Sequence, residues 1–301
     1  MNRTLQRDIT STIDDAVLRW PRRRRTGARI GRAGQYVLLI LIVVVMTAPL
    51  VWMIITSLKP DSEIIAYPPT ILPESWTFQA YQTLFEISRF ATYLRNSMLV
   101  ATATTAATLA AGLTAAYALS RFRFSFLRGV GEISLFAYMI PPILLLVPIA
   151  RIISRLDLTN NLFALVLLYT ATLLPFALWV LRSYINGISL EIEQAAMVDG
   201  ATRFQAFRHV VVPQAVPGVI STGVFTFNAA WSEYLFASTL MTSPDKVTLS
   251  PGLALLLDQT GVYSWGLLMA GSVIVVAPVI VLFIIVQRQL VGGLGEGAVK
   301  G

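Results

Sequence analysis

Residues 193–213 read EQAAMVDGATRFQAFRHVVVP, a polar stretch between two apolar segments, and its reading decides the rest of the chain. It is too regular for a slack loop. Ser189 precedes it, and Glu191 and Glu193 fall in a first turn, where carboxylates suit the positive end of the helix dipole. Ala195, Ala196 and Met197 favour helix. Gly200 can take the left-handed conformation that ends one. Thr202 and Gln205 have capping-box spacing, so a second short helix starts at once. Pro213 and Pro217 mark the turn into the next apolar run. The expected product is a helix, a glycine corner and a second helix, with two small alanines that let another surface approach closely.

The surroundings of this stretch are membrane-like. The chain has 301 residues, 55% hydrophobic and 13% charged, with a mean hydropathy of +0.69. That is too apolar for a soluble domain of this size and indicates an integral membrane protein. The chain has no cysteine, which excludes disulfides, thiolate metal sites and cysteine nucleophiles. Its one histidine, His209, excludes a His-pair zinc site. No metal site and no catalytic cluster is expected. No cleavable signal peptide is expected either, because the first apolar run, from Gln35, is too long for an h-region.

A helix needs about 20 apolar residues to cross a bilayer. Six stretches qualify: Gln35–Ser57, Asn96–Leu119, Val130–Ile153, Leu162–Leu181, Pro217–Leu240 and Ser264–Val286. The fold class is therefore an all-α integral membrane protein with six transmembrane helices. An even number puts both termini on one side. Seventeen of the 23 basic residues fall on that side, which the positive-inside rule makes cytoplasmic, together with residues 189–213. The net charge of +7 is thus a topology signal, and no nucleic-acid partner is implied.

The domain plan is a basic segment, 1–34, a transmembrane domain, 35–290, and a glycine-rich flexible tail, 291–301. Leu5, Ile9, Ile13, Val17 and Trp20 have helical spacing, and Arg22 to Arg25 follow. This cluster is a topology signal or a site for anionic membrane lipid. The outer loop from Leu58 to Arg95 is irregular at Pro60, Pro68, Pro69 and Pro73, with a short helix over 78–93 and Asn96-Ser97 capping the second span. That span is dense in small residues from Ala101 to Ala116, which suits backbone-to-backbone packing. Pro141, Pro142, Pro148 and Pro175 interrupt the third and fourth spans, shaping either packing or a path. Glu233 is the only acid well inside a span. A carboxylate there needs a polar cavity or a partner. Thr222, Thr226 and Glu233 share a helical stripe with Ala229, Ala230 and Ala237, which reads as a path-lining face. Thr226, Asn228, Trp231, Ser232 and Glu233 are the candidate path or gating residues, with structural and gating roles ahead of substrate contact.

Residues 189–213 resemble the EAA loop of permease subunits of ATP-binding-cassette (ABC) importers. That family's pattern is Glu-Ala-Ala, three residues, Gly, nine residues, then Ile-x-Leu-Pro. It falls here on Gln194, Ala195, Ala196, Gly200, Val210, Val212 and Pro213. The leading Glu is Gln194, so Glu193 supplies the acidic contact or a neutral hydrogen bond suffices. Ser57 to Pro60, Asn96-Ser97, Trp231 to Leu235 and the terminal Gly-Ala-Val-Lys-Gly also resemble sugar permeases of the maltose/trehalose type. The resemblance implies a type I ABC importer permease fold with a cytoplasmic coupling helix, in a bacterial inner membrane. It implies that Glu193, Gln194, Ala195, Ala196, Asp199, Gly200, Ala201 and Phe204 couple the chain to an ATPase. It implies a second permease subunit, two ATPases, an external solute-binding protein reached by the 241–263 loop, and a sugar as substrate. No P-loop, G-x-S-x-G or H-E-x-x-H occurs, so the chain is expected to be no enzyme and to bind no cofactor, with ATP and Mg held by the partner ATPase. The other readings are an ABC permease for glycerol phosphate, an osmolyte or a peptide, and an ion-coupled carrier, for which one mid-span acid and no repeat give little support.

Overall fold

The computed structural model describes residues 25–87, 89–122, 129, 136, 138–259 and 264–298, with 25–33, 87, 257–259 and 288–298 as backbone only. Its elements in chain order are α1 (Arg25–Ser57), α2 (Asp61–Ile64), α3 (Gln79–Ile87), α4 (Phe90–Arg121), α5 (Pro142–Arg155), α6 (Leu162–Gly187), α7 (Leu190–Val198), α8 (Arg203–Ala206), a π-helical turn (Phe207–Val211), α9 (Val212–Trp231), α10 (Leu235–Leu240), α11 (Leu249–Gln259) and α12 (Trp265–Ala298). No strand occurs among the described residues. The chain divides into two units, 1–52 and 53–301.

In the first unit α1 begins at Arg25 rather than near Gln35, so the end of the basic segment and the span are one helix. The expected amphipathic helix over 5–20 lies outside the described residues. Large apolar side chains from Tyr36 to Met46 are exposed, as a span facing hydrocarbon can be, because lipid tails are as apolar as the side chains.

Five described helices are long and apolar enough to cross a membrane: Gly34–Ser57, Phe90–Arg121, Leu162–Gly187, Arg203–Trp231 and Trp265–Gln287. The third expected span lies partly outside the described residues, and its described end is α5, opened by Pro141 and Pro142. In the second unit α4 is the spine, packed against both α6 and α9. Its face of Ala101, Thr104, Thr108, Gly112 and Ala116 is buried, as the small residues suggested. One buried cluster joins Phe90, Tyr93, Val100, Leu165, Tyr169, Trp231 and Leu249. A second joins Ala116, Tyr117, Leu178, Leu181, Ile185, Val211 and Ala215 beside α7 and the π turn.

Several expectations are corrected. Asn96 and Ser97 do not cap a helix; they sit inside α4, buried, and hold the 241–249 segment. Asn96 Nδ2 donates to the carbonyls of Asp245 and Val247, both at 2.9 Å. The Ser97 hydroxyl accepts from Leu249 N at 2.7 Å. Pro213 and Pro217 do not start a new span, because the helix runs from Arg203 to Trp231 without a break. In a regular α-helix the Pro213 ring would meet the carbonyl of His209. The wider turn at Phe207–Val211, where Val212 N donates to Phe207 O, relieves that clash. The glycine-rich tail is helical as far as Ala298.

The Ser57–Pro60 motif organises the first loop. The Ser57 hydroxyl bonds the Tyr81 hydroxyl at 2.8 Å. Lys59, buried, donates from Nζ to Thr70 O at 2.5 Å and Thr70 Oγ1 at 3.1 Å. Thr70 Oγ1 in turn donates to Glu63 at 2.6 Å, and Glu74 N donates to the same carboxylate at 3.1 Å. Chiefly through the Thr70 hydrogen bond, the Glu63 carboxyl is held below the usual carboxylate range.

Candidate functional site

The 189–213 element folds as its residues dictate. Ser189 Oγ accepts from Glu191 N at 3.2 Å and opens α7. The helix ends in a Schellman motif: Gly200 N donates to Met197 O and Ala201 N to Ala196 O. Gly200 has φ +96°, the left-handed region that favours glycine. The Thr202–Gln205 capping box is present, with Thr202 N donating to Gln205 Oε1 at 2.7 Å.

This geometry gives α7 two faces. Glu193, Ala196 and Met197, spaced i, i+3, i+4, turn inward, with Glu193 fully buried. Gln194, Ala195, Val198 and Asp199 are exposed, and beyond the corner Gly200 and Phe204 are exposed and Ala201 is half-buried. Val198 is 87% exposed and Phe204 69%. The expectation that Glu193 offers an acidic contact in place of Gln194 is therefore corrected. Its Oε2 accepts from Arg121 Nε at 2.7 Å, and its Oε1 accepts from the Tyr117 hydroxyl. Arg121 Nη2 also donates to Ile188 O at 3.1 Å, and the Tyr117 ring lies 4.6 Å from that of Phe207. Sequence reasoning missed Arg121 and Tyr117. They share a helical face of α4, but nothing in their spacing points to residue 193, about 70 positions on.

The second candidate region is the break after α9. Glu233 is not inside a continuous helix; it lies between α9 and α10. Its carboxylate accepts from Phe236 N at 2.9 Å and Ala237 N at 3.1 Å, and from the Tyr169 hydroxyl. The acid is thus held by the first turn of α10 and by α6. Thr222 and Thr226 are buried, and their hydroxyls have no hydrogen-bond partner. Of the stripe expected to line a path, Thr222, Thr226 and Ala237 are packed inside the protein, while Ala229, Ala230 and Glu233 border a cavity. Threonine packs helices closely, and that use wins for Thr222 and Thr226. Trp231, also buried, donates from Nε1 to Val275 O at 3.0 Å and joins α9 to α12. Asn228 and Ser232 are exposed, and Ser232 Oγ donates to Asn228 O at 2.6 Å.

Glu233 borders a cavity of about 770 Å³ that is lined mainly by apolar side chains of α5, α6 and α9, including Leu145, Ile149, Leu168 and Ala229. Among the described residues no group of acids and histidine could hold a metal ion.

Five described helices are of membrane-spanning length, and a helix–glycine–helix element follows α6. The chain belongs to the family described as binding-protein-dependent transport system inner membrane components, whose model matches residues 107–294. It is a multi-pass membrane permease subunit of an ABC transport system and is not itself an enzyme. The chain is 34% identical to the diacetylchitobiose uptake system permease protein DasC of Streptomyces coelicolor, over 90% of this chain and 98% of that one. It is 32% identical to the trehalose/maltose transport system permease protein MalG of Thermococcus litoralis, over 87% and 94%. In fold it is similar to a chain of a bacterial ABC transporter involved in the import of the acidic polysaccharide alginate, with a TM-score of 0.75 and 23% identity, covering 87% of this chain and 97% of that chain.

Proposed function

We propose that the chain is one of two permease subunits of an ATP-driven sugar importer, and that the exposed face of α7 with Phe204 is where a partner ATPase docks. The observation that carries this is the pairing of an ordered corner with an exposed apolar surface. Leaving side chains such as Val198 and Phe204 in water forgoes about 1.5–3 kcal/mol each. A glycine corner and two caps keep these side chains in fixed positions, as a docking surface requires.

The names of the relatives favour a mono-, di- or oligosaccharide as substrate. The basic residues favour cytoplasmic termini and a cytoplasmic α7. The assembly has a second permease, two ATPases that hold ATP and Mg, and an external solute-binding protein. The 1–34 segment lies on the cytoplasmic face, 35–290 form the transmembrane domain, and 291–301 point toward the ATPases. Closure of the ATPases moves α7, and α4 and α6 follow at their inner ends. The apolar cavity beside Glu233 then changes its access. Asn228 and Ser232 line the path, while Glu233 fixes the break between α9 and α10.

The test is recovery from mild detergent with a tag on the N-terminus. Val198→Glu and Phe204→Glu each bury a charge in the proposed interface. An ATPase and a second permease are expected with the parent chain. Each variant is expected to lose the ATPase and keep the second permease. Partners indifferent to both substitutions would sink the reading.

A further inference from the structure

We propose that Glu193, Arg121 and Tyr117 form an internal joint that passes movement of α7 to the ends of α4 and α6. Glu193 is then a positioning residue for transport and not a contact for the ATPase. The inference rests on the docking reading of the exposed face of α7.

Three observations carry it. Val198 and Glu193 are on different faces of one short helix, one exposed and one buried, so a push on the exposed face is delivered to the other. Glu193 meets two side chains of the last turn of α4, Arg121 and Tyr117. The same guanidinium also holds Ile188 O, in the link between α6 and α7. One cluster therefore ties three elements. The Arg121–Glu193 pair is the buried ion pair among the described residues, with side chains 7% and 1% exposed. Such a pair resists opening, because separation leaves a buried charge without its partner. Tyr117 adds a ring against Phe207, so the π turn at the base of α9 is braced by the same group. A motion of α7 that breaks this cluster is unfavourable, and one that carries α4 with it is not.

The chain has no cysteine, so a single cysteine reports cleanly. Thr114 is exposed on α4, one turn from Tyr117. In the complete transporter, the maleimide labelling rate of Thr114→Cys is measured with and without Mg-ATP plus vanadate. Co-purification of the ATPase is scored on the same samples. The parent is expected to show a nucleotide-dependent change in rate. Tyr117→Phe removes only a hydroxyl, and Glu193→Gln only the charge. Each is expected to keep the ATPase bound and to reduce the change by about 5-fold or more, the scale of ordinary coupling between sites. The exchange of Glu193→Arg with Arg121→Glu is expected to restore part of it. An undiminished change in both single variants would overturn the joint. So would loss of the ATPase in Glu193→Gln, since that assigns Glu193 to docking. A parent chain that retains no ATPase would instead overturn the docking reading itself, and the two failures are read on separate assays.

Discussion

Glu63 shows how a single side chain can set a local fold. It accepts from the Thr70 hydroxyl and from Glu74 N, and Thr70 is held by Lys59. Its carboxyl is held below the usual range, so its contribution to the loop is present above the unfolded Glu value and is lost as pH falls through the lower folded value. Limited proteolysis of the 58–78 segment in detergent is expected to be slow at neutral pH and to accelerate only below the ordinary Glu range. Glu63→Gln is expected to be cut faster at neutral pH, with the acid dependence flattened. Glu193 and Glu233 are likewise held by partners, here in apolar surroundings. Glu233 accepts three hydrogen bonds and Glu193 accepts two, one of them from the Arg121 cation, which is how a membrane protein keeps an acid away from water. From sequence both were visible as acids of interest. Their partners were not, because Tyr117, Arg121 and Tyr169 lie on other helices, and a one-dimensional pattern holds no contact between helices.

Elements were most legible where the signal is local. The Ser189 cap, the Gly200 corner and the Thr202–Gln205 box are short-range chemistry, and each is found where its residues place it. Gly200 also has the clearest consequence. At φ +96° a side chain is strained, while no neighbouring atom lies within 4 Å of an added Cβ. Gly200→Val is therefore expected to cost on the order of 1–2 kcal/mol or more through backbone strain alone. It is expected to loosen the corner without disturbing the spans, read as faster hydrogen exchange at residues 196–205 and unchanged exchange in α6. Proline misled the reading at 213 and 217, because its usual meaning is a boundary. The π turn before Val212 absorbs one clash, and α9 tolerates the other proline inside it. Thr222 and Thr226 misled it in another way. Small residues that could line a path also pack helices closely, and only the neighbours decide between the two.

Across the whole molecule, membrane character and helical class were written in composition and segment length. Five described helices meet the length and hydropathy of a span, and the third expected span falls partly outside the described residues. The family follows from residues 107–294 and from relatives that cover most of the chain. What the sequence hid is how one end of the bundle is tied to its peripheral helix, since that tie joins residues 117 and 121 to residue 193. The account's central claim is that the exposed face of α7 is cytoplasmic and lies under an ATPase. The most direct measurement uses Val198→Cys in the cysteine-free chain, labelled with a membrane-impermeant maleimide in sealed vesicles of known orientation. The account predicts labelling only from the cytoplasmic face in vesicles stripped of the ATPase, and protection when the ATPase is rebound. Labelling from the outer face, or equal labelling with and without the ATPase, would contradict it.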